Sequence, residues 1–471
     1  MTHPLLERFE QLLEQAPDKI LVASRARSTS VAGVHEMARS VERRLKDASL
    51  DAGGLLGLVA PAGPGFLAGL LALRRMKLAA LLIDPGTPLN EQVKTARALG
   101  APSLLTLTSP WPEDEADWIL SAVPGVAQPA ELNGVGVVKL TSGSTGEPRG
   151  IATSEKALVC DADALNRTMG ITPDDRLLSG IPLSHSYGLS TLAVTALTQG
   201  TTLVLPDGLA SFEPFLAAKE LGATVFPTVP AFLHALLHLS DPPAQPARLR
   251  LVISAGAPLT PTTAVEFRRS FGLPVHVFYG ASECGGICYD REGSAGERGT
   301  VGTPVDGVRV TLDASQGALA GAVVIASPAV AEGYHPAADS SLGDGCFRSK
   351  DQAEWRDGEL ALLGRREDWI NVGGKKVNPR EVEAVLKQLD GIEDAAVFGF
   401  TIPGREGESV RAVVAGGDVP GYLEVVARCR DSLAAHKVPR SVLRVREIPR
   451  TPRGKLDWSR IREMAATDEG L

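Results

Sequence analysis

The sequence predicts an α/β fold: a large N-terminal domain of layered α/β subdomains with a small β-rich subdomain, then a small α+β C-terminal domain. Three observations predict it. Apolar strand-like runs alternate with amphipathic helical stretches between residues 55 and 279, the pattern of a layered, largely parallel sheet. After Gly299 the texture shifts to short β-like runs and glycine turns ("VRVTL", "GAVVIASP", "GELALLG"). Beyond Asp368 a capped amphipathic helix is followed by a further strand. The boundary is placed near Asp368, giving domains of residues 1–367 and 368–471. At 471 residues the chain is too long for one core, since domains hold roughly 100–200 residues each.

Leu5, Phe9, Leu12 and Ala16 trace one face of an N-terminal helix. Leu55–Ala60 reads as a buried strand, Pro64–Arg75 as a helix, and Ala79–Ile83 as a strand ending at Asp84-Pro85. Strand–helix–strand order favours parallel pairing. Val135–Leu140, Leu177–Ile181, Thr202–Leu205, Thr224–Phe226, Leu251–Ser254 and Val275–Tyr279 continue the strand set, with helices at Phe212–Leu221 and Thr262–Phe271. In the last domain Asn378 is placed to cap a helix with Pro379 at its first position. Val382, Val385, Leu386 and Leu389 form its apolar face, Gly391 is expected to end it, and Ala395–Phe400 follows as a strand.

Composition bounds the function. With 44% hydrophobic and 22% charged residues the chain is an ordinary globular protein. A net charge of −8 argues against general nucleic-acid binding. The N-terminus lacks the basic start and unbroken apolar core of a signal peptide, and no apolar run is long enough to span a bilayer. Five scattered cysteines (Cys160, Cys284, Cys288, Cys346 and Cys429) fit free thiols in a reducing compartment. A cytoplasmic protein is expected.

The chemistry is carried by loops. "LTSGSTGEPRG" follows the strand Val135–Leu140. Gly143 and Gly146 let backbone approach a ligand. Thr141, Ser142, Ser144 and Thr145 offer hydroxyls, successive backbone N–H groups can form an anion nest, and Arg149 adds a charge suited to phosphate. The same composition alone also suits a flexible linker. In "YGASE", Glu283 follows a strand end, where α/β folds build sites; a carboxylate there could hold Mg²⁺ beside a triphosphate or be a surface charge. Asp351 in "FRSKD" can take ribose hydroxyls or cap a turn. Arg365 in "GRRED" can pair with a ribose or phosphate oxygen, or with solvent, and Lys455 in "RTPRGKLDW" lies on a Pro/Gly loop, where a lone lysine is most often solvated. His234 and His238 share a helical face but have no third ligand and are set aside as a metal pair.

The chain closely resembles the adenylate-forming superfamily of acyl-CoA synthetases, peptide-synthetase adenylation domains and beetle luciferases. The matching stretches come in that family's order: "LTSGSTGEPRG", "PLSHSYG", "SAGAPL", "FYGASE", "VGTPVDG", "FRSKD", "GELALLGRREDWINVGGKKVNPREVE" and "RTPRGKLDW". They span Leu140 to Trp458, roughly two-thirds of the chain. The resemblance implies ATP-dependent conversion of a carboxylic acid to an acyl-AMP with release of pyrophosphate, then acyl transfer to a thiol. ATP, Mg²⁺ and CoA, or the phosphopantetheine of a carrier protein, are the implied cofactors.

By matching positions, Thr141, Ser142, Gly143, Ser144, Thr145, Gly146 and Arg149 would cradle the β- and γ-phosphates, with Thr141 and Glu283 near Mg²⁺. Gly256, Ala257 and Pro258 would border adenine, with Tyr279 stacked on it and Gly280 and Ser282 beside it. Asp351, helped by Arg365, would bind the ribose. Lys455 would bridge the carboxylate and the α-phosphate. The small domain would then swing about Asp368, so that Gly373 and Gly374 line a pantetheine path and Lys375 or Lys376 meets CoA phosphates. His185 matches an aromatic gate near the acyl pocket. Gly188, Gly280, Ala281, Gly285 and Gly286 are expected to leave room at the acyl end.

The sequence departs from the family pattern at Arg149 (usually lysine), Ser282 (threonine), Ser349-Lys350 (Thr-Gly) and Asn371 (lysine). The acyl-CoA synthetase branch matches best. A stand-alone ligase that loads an acyl carrier protein is the alternative, and a non-catalytic nucleotide-binding scaffold is the reading from a different class. The identity of the acid is not encoded in any stretch identified.

Overall fold

The computed structural model describes residues 3–46, 53–140, 148–208, 212–314, 320–365, 369–372, 375–401, 408–433, 435–451 and 456–467. It divides into two compact units. The larger comprises Met1–Thr311, Val324–Arg348 and Arg356–Ala361; the smaller comprises Leu312–Val323, Ser349–Trp355 and Leu362–Leu471. Asp368 lies outside the described residues.

The alternation read from the sequence forms two sheets, both in the larger unit. One has seven strands in the order Gly333–His335, Gly150–Ser154, Val135–Leu140, Ala79–Ile83, Leu55–Val59, Ser103–Leu107, Trp118–Ala122. Its four central strands are parallel and its flanks antiparallel. The other has nine, in the order Thr303–Pro304, Gly285–Tyr289, Val275–Ala281, Leu251–Ser254, Val225–Thr228, Arg176–Leu178, Thr202–Val204, Ile20–Ala23, Ser28–Ser30. The six strands from Val275–Ala281 to Ile20–Ala23 are parallel. Strands buried on both faces read as continuous apolar runs, and Leu55–Val59 and Ala79–Ile83 are buried at every position.

Helix Pro64–Arg75 is buried along nearly its whole length. Together with Leu5 and Phe9 of helix Pro4–Gln15 it belongs to the main core, which also takes in Leu158, Leu165, Leu192 and Phe278. A second core gathers Phe215, Phe226, Phe267 and Phe271.

Some expected elements differ in extent. The strand expected over Leu177–Ile181 ends at Leu178, because Gly180 N turns back to donate to Leu178 O (3.0 Å) and Pro182 follows. The β-rich texture after Gly299 is present, with no helix among the described residues between Arg298 and Pro379. Two of its strands, Thr303–Pro304 and Gly333–His335, join the large sheets.

In the smaller unit, strands Ile370–Val372 and Lys375–Val377 form a hairpin. Asp394–Thr401, Glu408–Ala415 and Ser441–Val445 form a three-stranded sheet. Asn378 caps helix Pro379–Leu386, accepting from Arg380 N at 3.0 Å. That helix ends at Leu386, not at Gly391. Gly391 (φ +84°) instead serves the following turn, where a Cβ would lie 2.0 Å from Asp418 O. The apolar face Val382 and Leu386 packs with Val397, Val410 and Val425.

Candidate active site

The site residues of the larger unit stand at the C-terminal ends of its parallel strands, where open α/β sheets place their ligands. Strand Leu251–Ser254 runs into an exposed loop at Gly256, Ala257 and Pro258, with Gly256 at φ +82°. The neighbouring strand Val275–Ala281 carries half-buried Tyr279 and exposed Gly280 beside it. The chain then turns through Ser282, Glu283 and Cys284 into the antiparallel strand Gly285–Tyr289.

Glu283 is held on several sides. Its carbonyl accepts from Ala331 N at 2.8 Å. Its Oε1 accepts the Tyr334 hydroxyl at 2.9 Å. Burial, and then the adjacent Glu283 charge, push the Tyr334 phenol well above its ordinary range, so it stays a donor. The Arg149 guanidinium lies over the Tyr334 ring, 3.6 Å from its centroid. It also donates to Asp339 Oδ2 at 3.0 Å. Donation from the Ser341 backbone and hydroxyl, then from Arg149, lowers the Asp339 carboxyl to about 2. The arginine found where the resemblance expects lysine therefore has a physical use. A planar guanidinium stacks on an aromatic face and still donates sideways, which an ammonium does less well.

His185 stands at the start of the turn Ser186–Gly188, with Nε2 3.5 Å from Asp84 Oδ2 at the end of strand Ala79–Ile83. Ser186 Oγ donates to Ser282 Oγ at 2.7 Å, so the "PLSHSYG" and "YGASE" segments touch directly. Past Gly188 the backbone winds as a π-helix over Leu189–Val194. Thr191 donates to Tyr187 O, and Thr195 to Ser190 O at 3.0 Å. Single π turns of this kind often mark functional sites.

At four of the glycines expected to border the acyl end, the Cβ direction itself is occupied. An added Cβ would meet Pro182 O at 2.2 Å from Gly188, Gly285 O at 2.8 Å from Gly280, Asp161 Oδ1 at 2.2 Å from Gly285 and Leu165 Cδ2 at 2.7 Å from Gly286. These residues are small because neighbouring chain already fills the space.

In the smaller unit Arg365 Nε donates to Asp351 Oδ1 at 3.2 Å, so the two residues expected at the ribose are neighbours. Lys376 stands on strand Lys375–Val377. Thr141, Ser142, Gly143, Ser144, Thr145, Gly146, Gly373, Gly374 and Lys455 lie outside the described residues. His234 and His238, set aside as ligands, stack with ring centroids 4.1 Å apart on one helix.

Sequence reading missed Tyr334, Asp339, Asp84, Lys139 and Asp161. Only Lys139 left a trace, as one charge inside the otherwise apolar strand "VGVVKL".

The AMP-binding enzyme family matches residues 9–335, and the AMP-binding enzyme C-terminal domain matches residues 381–455. A feruloyl-CoA synthase of an Amycolatopsis species is 31% identical over 381 residues, covering 78% of this chain and 76% of its own. A sulfoacetate–CoA ligase of Cupriavidus necator is 29% identical over 353 residues, covering 70% and 67%. Among solved structures, ATP-bound MatB from Rhodopseudomonas palustris superposes with a TM-score of 0.84 at 23% identity, covering 99% of each chain, and shares the fold. With the first of these families matching most of its length, the chain belongs to the AMP-binding enzymes.

Proposed function

We propose that this protein is an AMP-forming acid–thiol ligase that joins a carboxylic acid to CoA through an acyl-AMP. The observation that carries the reading is the linked set Glu283, Tyr334 and Arg149 at the mouth of the parallel strands. It joins one hard carboxylate to one fixed cation through a single aromatic ring. A lone carboxylate such as Glu283 fits Mg²⁺, which is usually held by one or two carboxylates plus substrate phosphates. When bound, the ion would neutralise charge on the triphosphate.

A carboxylate is a poor electrophile, because its charge repels nucleophiles. In the first step a carboxylate oxygen attacks the α-phosphorus and pyrophosphate leaves with the bonding pair. In the second, a thiolate attacks the acyl carbon and AMP leaves. The protein's work is positioning and charge stabilisation. Arg149 and the loop from Thr141 hold the β- and γ-phosphates, and Gly256, Ala257, Pro258 and Tyr279 hold adenine. Gly280 and Ser282 sit beside it, and Asp351 with Arg365 takes the ribose. Lys455 meets the oxygens of both reacting groups, and His185 borders the acid. Gly373, Gly374 and Lys376 are assigned to the pantetheine and phosphates of CoA. Five free cysteines suit a cytoplasmic location, and no helix among the described residues is long and apolar enough to cross a membrane.

Acid-dependent exchange of labelled pyrophosphate into ATP tests the first step, and a panel of acids identifies the substrate. No exchange with any acid would overturn the reading in favour of a nucleotide-binding scaffold. Thioester formation with free CoA, set against formation on a carrier protein alone, tests the acceptor; turnover on the carrier only would establish the carrier-loading ligase.

Two substitutions probe the linked set. Glu283→Gln should raise the Mg²⁺ needed for half-maximal exchange by about tenfold, the loss expected for one carboxylate contact to a charged ligand. An unchanged metal dependence would remove Glu283 from its assigned role. Asp339→Asn should free Arg149 for phosphate and lower the KM for ATP about twofold to threefold, with little change in stability, because exposed ion pairs contribute about 0–1 kcal/mol. A raised KM would mean that Asp339 orients Arg149 rather than competing for it.

A further inference from the structure

Two half-buried serines bind each other in the site, and the mechanism above gives only Ser282 a task. Ser186 Oγ donates to Ser282 Oγ at 2.7 Å, across 96 residues of chain. A serine hydroxyl holds one proton and two lone pairs. The Ser186 proton occupies this bond, so the Ser282 proton points elsewhere. Ser282 is an acceptor toward Ser186 and a donor toward whatever lies on its other side.

Both serines sit on anchored backbone. Ser186 opens the helical turn Ser186–Gly188. Around it, His185 N donates to Pro182 O at 3.2 Å and Leu189 N to His185 O at 2.7 Å. The next residue, Tyr187, donates its hydroxyl to Ile253 O at 3.2 Å and packs its ring on Phe278, with centroids 5.3 Å apart. Phe278 belongs to strand Val275–Ala281, the strand that delivers Ser282. Cys284 N donates to Ala281 O at 3.2 Å and Ala281 pairs with Gly285, which makes residues 282–284 a tight loop. The spacing of the two serines is therefore set by packed elements, the condition for preorganised contacts.

Chain order indicates what the Ser282 proton meets. Tyr279 is assigned to adenine and Glu283 to the ion beside the triphosphate. Ser282 stands between them, one residue before Glu283, where the phosphate joined to the nucleoside is expected. We propose that Ser186 is a positioning residue: by donating to Ser282 Oγ, it turns the Ser282 proton onto a phosphoryl oxygen next to the nucleoside. The inference rests on the reading that places the nucleotide at this strand end. A hydroxyl rotor has three staggered positions, so fixing one beforehand is worth about threefold in affinity. A donor that itself receives a hydrogen bond is strengthened further.

The test needs neither acid nor metal. It uses the full-length protein and calorimetric dissociation constants for two probes, AMP and adenosine, which differ by the phosphate. Ser186→Ala should weaken AMP binding about threefold to tenfold and leave adenosine within about twofold. Ser186→Thr and Ser186→Val share one shape and differ by the hydroxyl. The first should bind AMP within about twofold of wild type, and the second should match Ser186→Ala. Ser282→Ala should weaken AMP binding about tenfold. Adding Ser186→Ala to it should change that value by less than about twofold, because the group through which Ser186 acts is gone.

Equal losses for AMP and adenosine, additive losses at the two serines, or a Ser186→Thr variant as weak as Ser186→Val would each overturn the proposal, since Ser186 would then serve the base or the fold. If Ser282→Ala weakens AMP binding and Ser186→Ala does not, only the present inference fails. If wild type binds neither probe, the nucleotide reading fails and takes this inference with it. If wild type exchanges no pyrophosphate with any acid yet the AMP and adenosine pattern appears, the ligase reading fails and this inference holds. Should Ser186→Ala not fold, the Ser186→Thr and Ser186→Val pair decides by the same constants, and failure of that pair to fold counts against the proposal.

Discussion

Replacing Lys455 by alanine is expected to lower the rate of adenylate formation by about 10²–10³-fold, the usual cost of removing one preorganised group that stabilises transition-state charge. Thioester formation from preformed acyl-AMP should stay within about threefold of wild type, because that step breaks a bond the lysine no longer has to polarise. The two half-reactions are separable. Pyrophosphate exchange reads the first, and release of AMP from supplied acyl-AMP and CoA reads the second. A compact ammonium suits the task because it can meet oxygens of two different groups without the fixed fork of a guanidinium. Lys455→Arg should therefore recover little of the lost exchange. Equal loss in both half-reactions would contradict the assignment and place Lys455 in folding or in nucleotide binding.

What could be read from the sequence was local. Leu55–Val59 and Ala79–Ile83 announce themselves as apolar runs because both their faces are buried. The Asn378-Pro379 start is visible because a cap acts within one turn. Glu283 was legible from its place after a strand and from its motif. Its support was not: Tyr334 lies 51 residues further on, and Arg149 is 190 residues from Asp339. No periodicity links such positions, because they are brought together by strand order, here by Gly333–His335 pairing with Gly150–Ser154. Asp161 was invisible for a different reason. A carboxylate in the middle of an amphipathic helix looks like a solvated charge unless the partner that buries it is known. The glycines carry a second constraint. Small residues near a site suggest space, and at Gly188, Gly280, Gly285 and Gly286 the Cβ direction is taken by backbone or neighbouring side chains.

Gly285 turns that constraint into a sharp expectation. It sits at φ +71°, as does Gly299. An alanine at either position carries the cost of the left-handed region, about 1–2 kcal/mol. At Gly299 a Cβ would meet nothing within 4 Å, whereas at Gly285 it would meet Asp161 Oδ1 at 2.2 Å and Oδ2 at 2.4 Å. Gly285→Ala must therefore displace a buried carboxylate from its bond to Gly286 N, adding about 1–3 kcal/mol for the group left without its partner. Gly299→Ala should lower Tm by a small step, and Gly285→Ala by at least twice as much. Only Gly285→Ala should raise the KM for Mg·ATP, because only there does the added methyl push on the turn that carries Glu283. Equal Tm losses would mean that Asp161 moves aside freely and that the turn does not depend on it. With φ matched at +71°, the added contact with the buried carboxylate is the difference the pair is chosen to read, so the gap between the variants reports how firmly Asp161 is held.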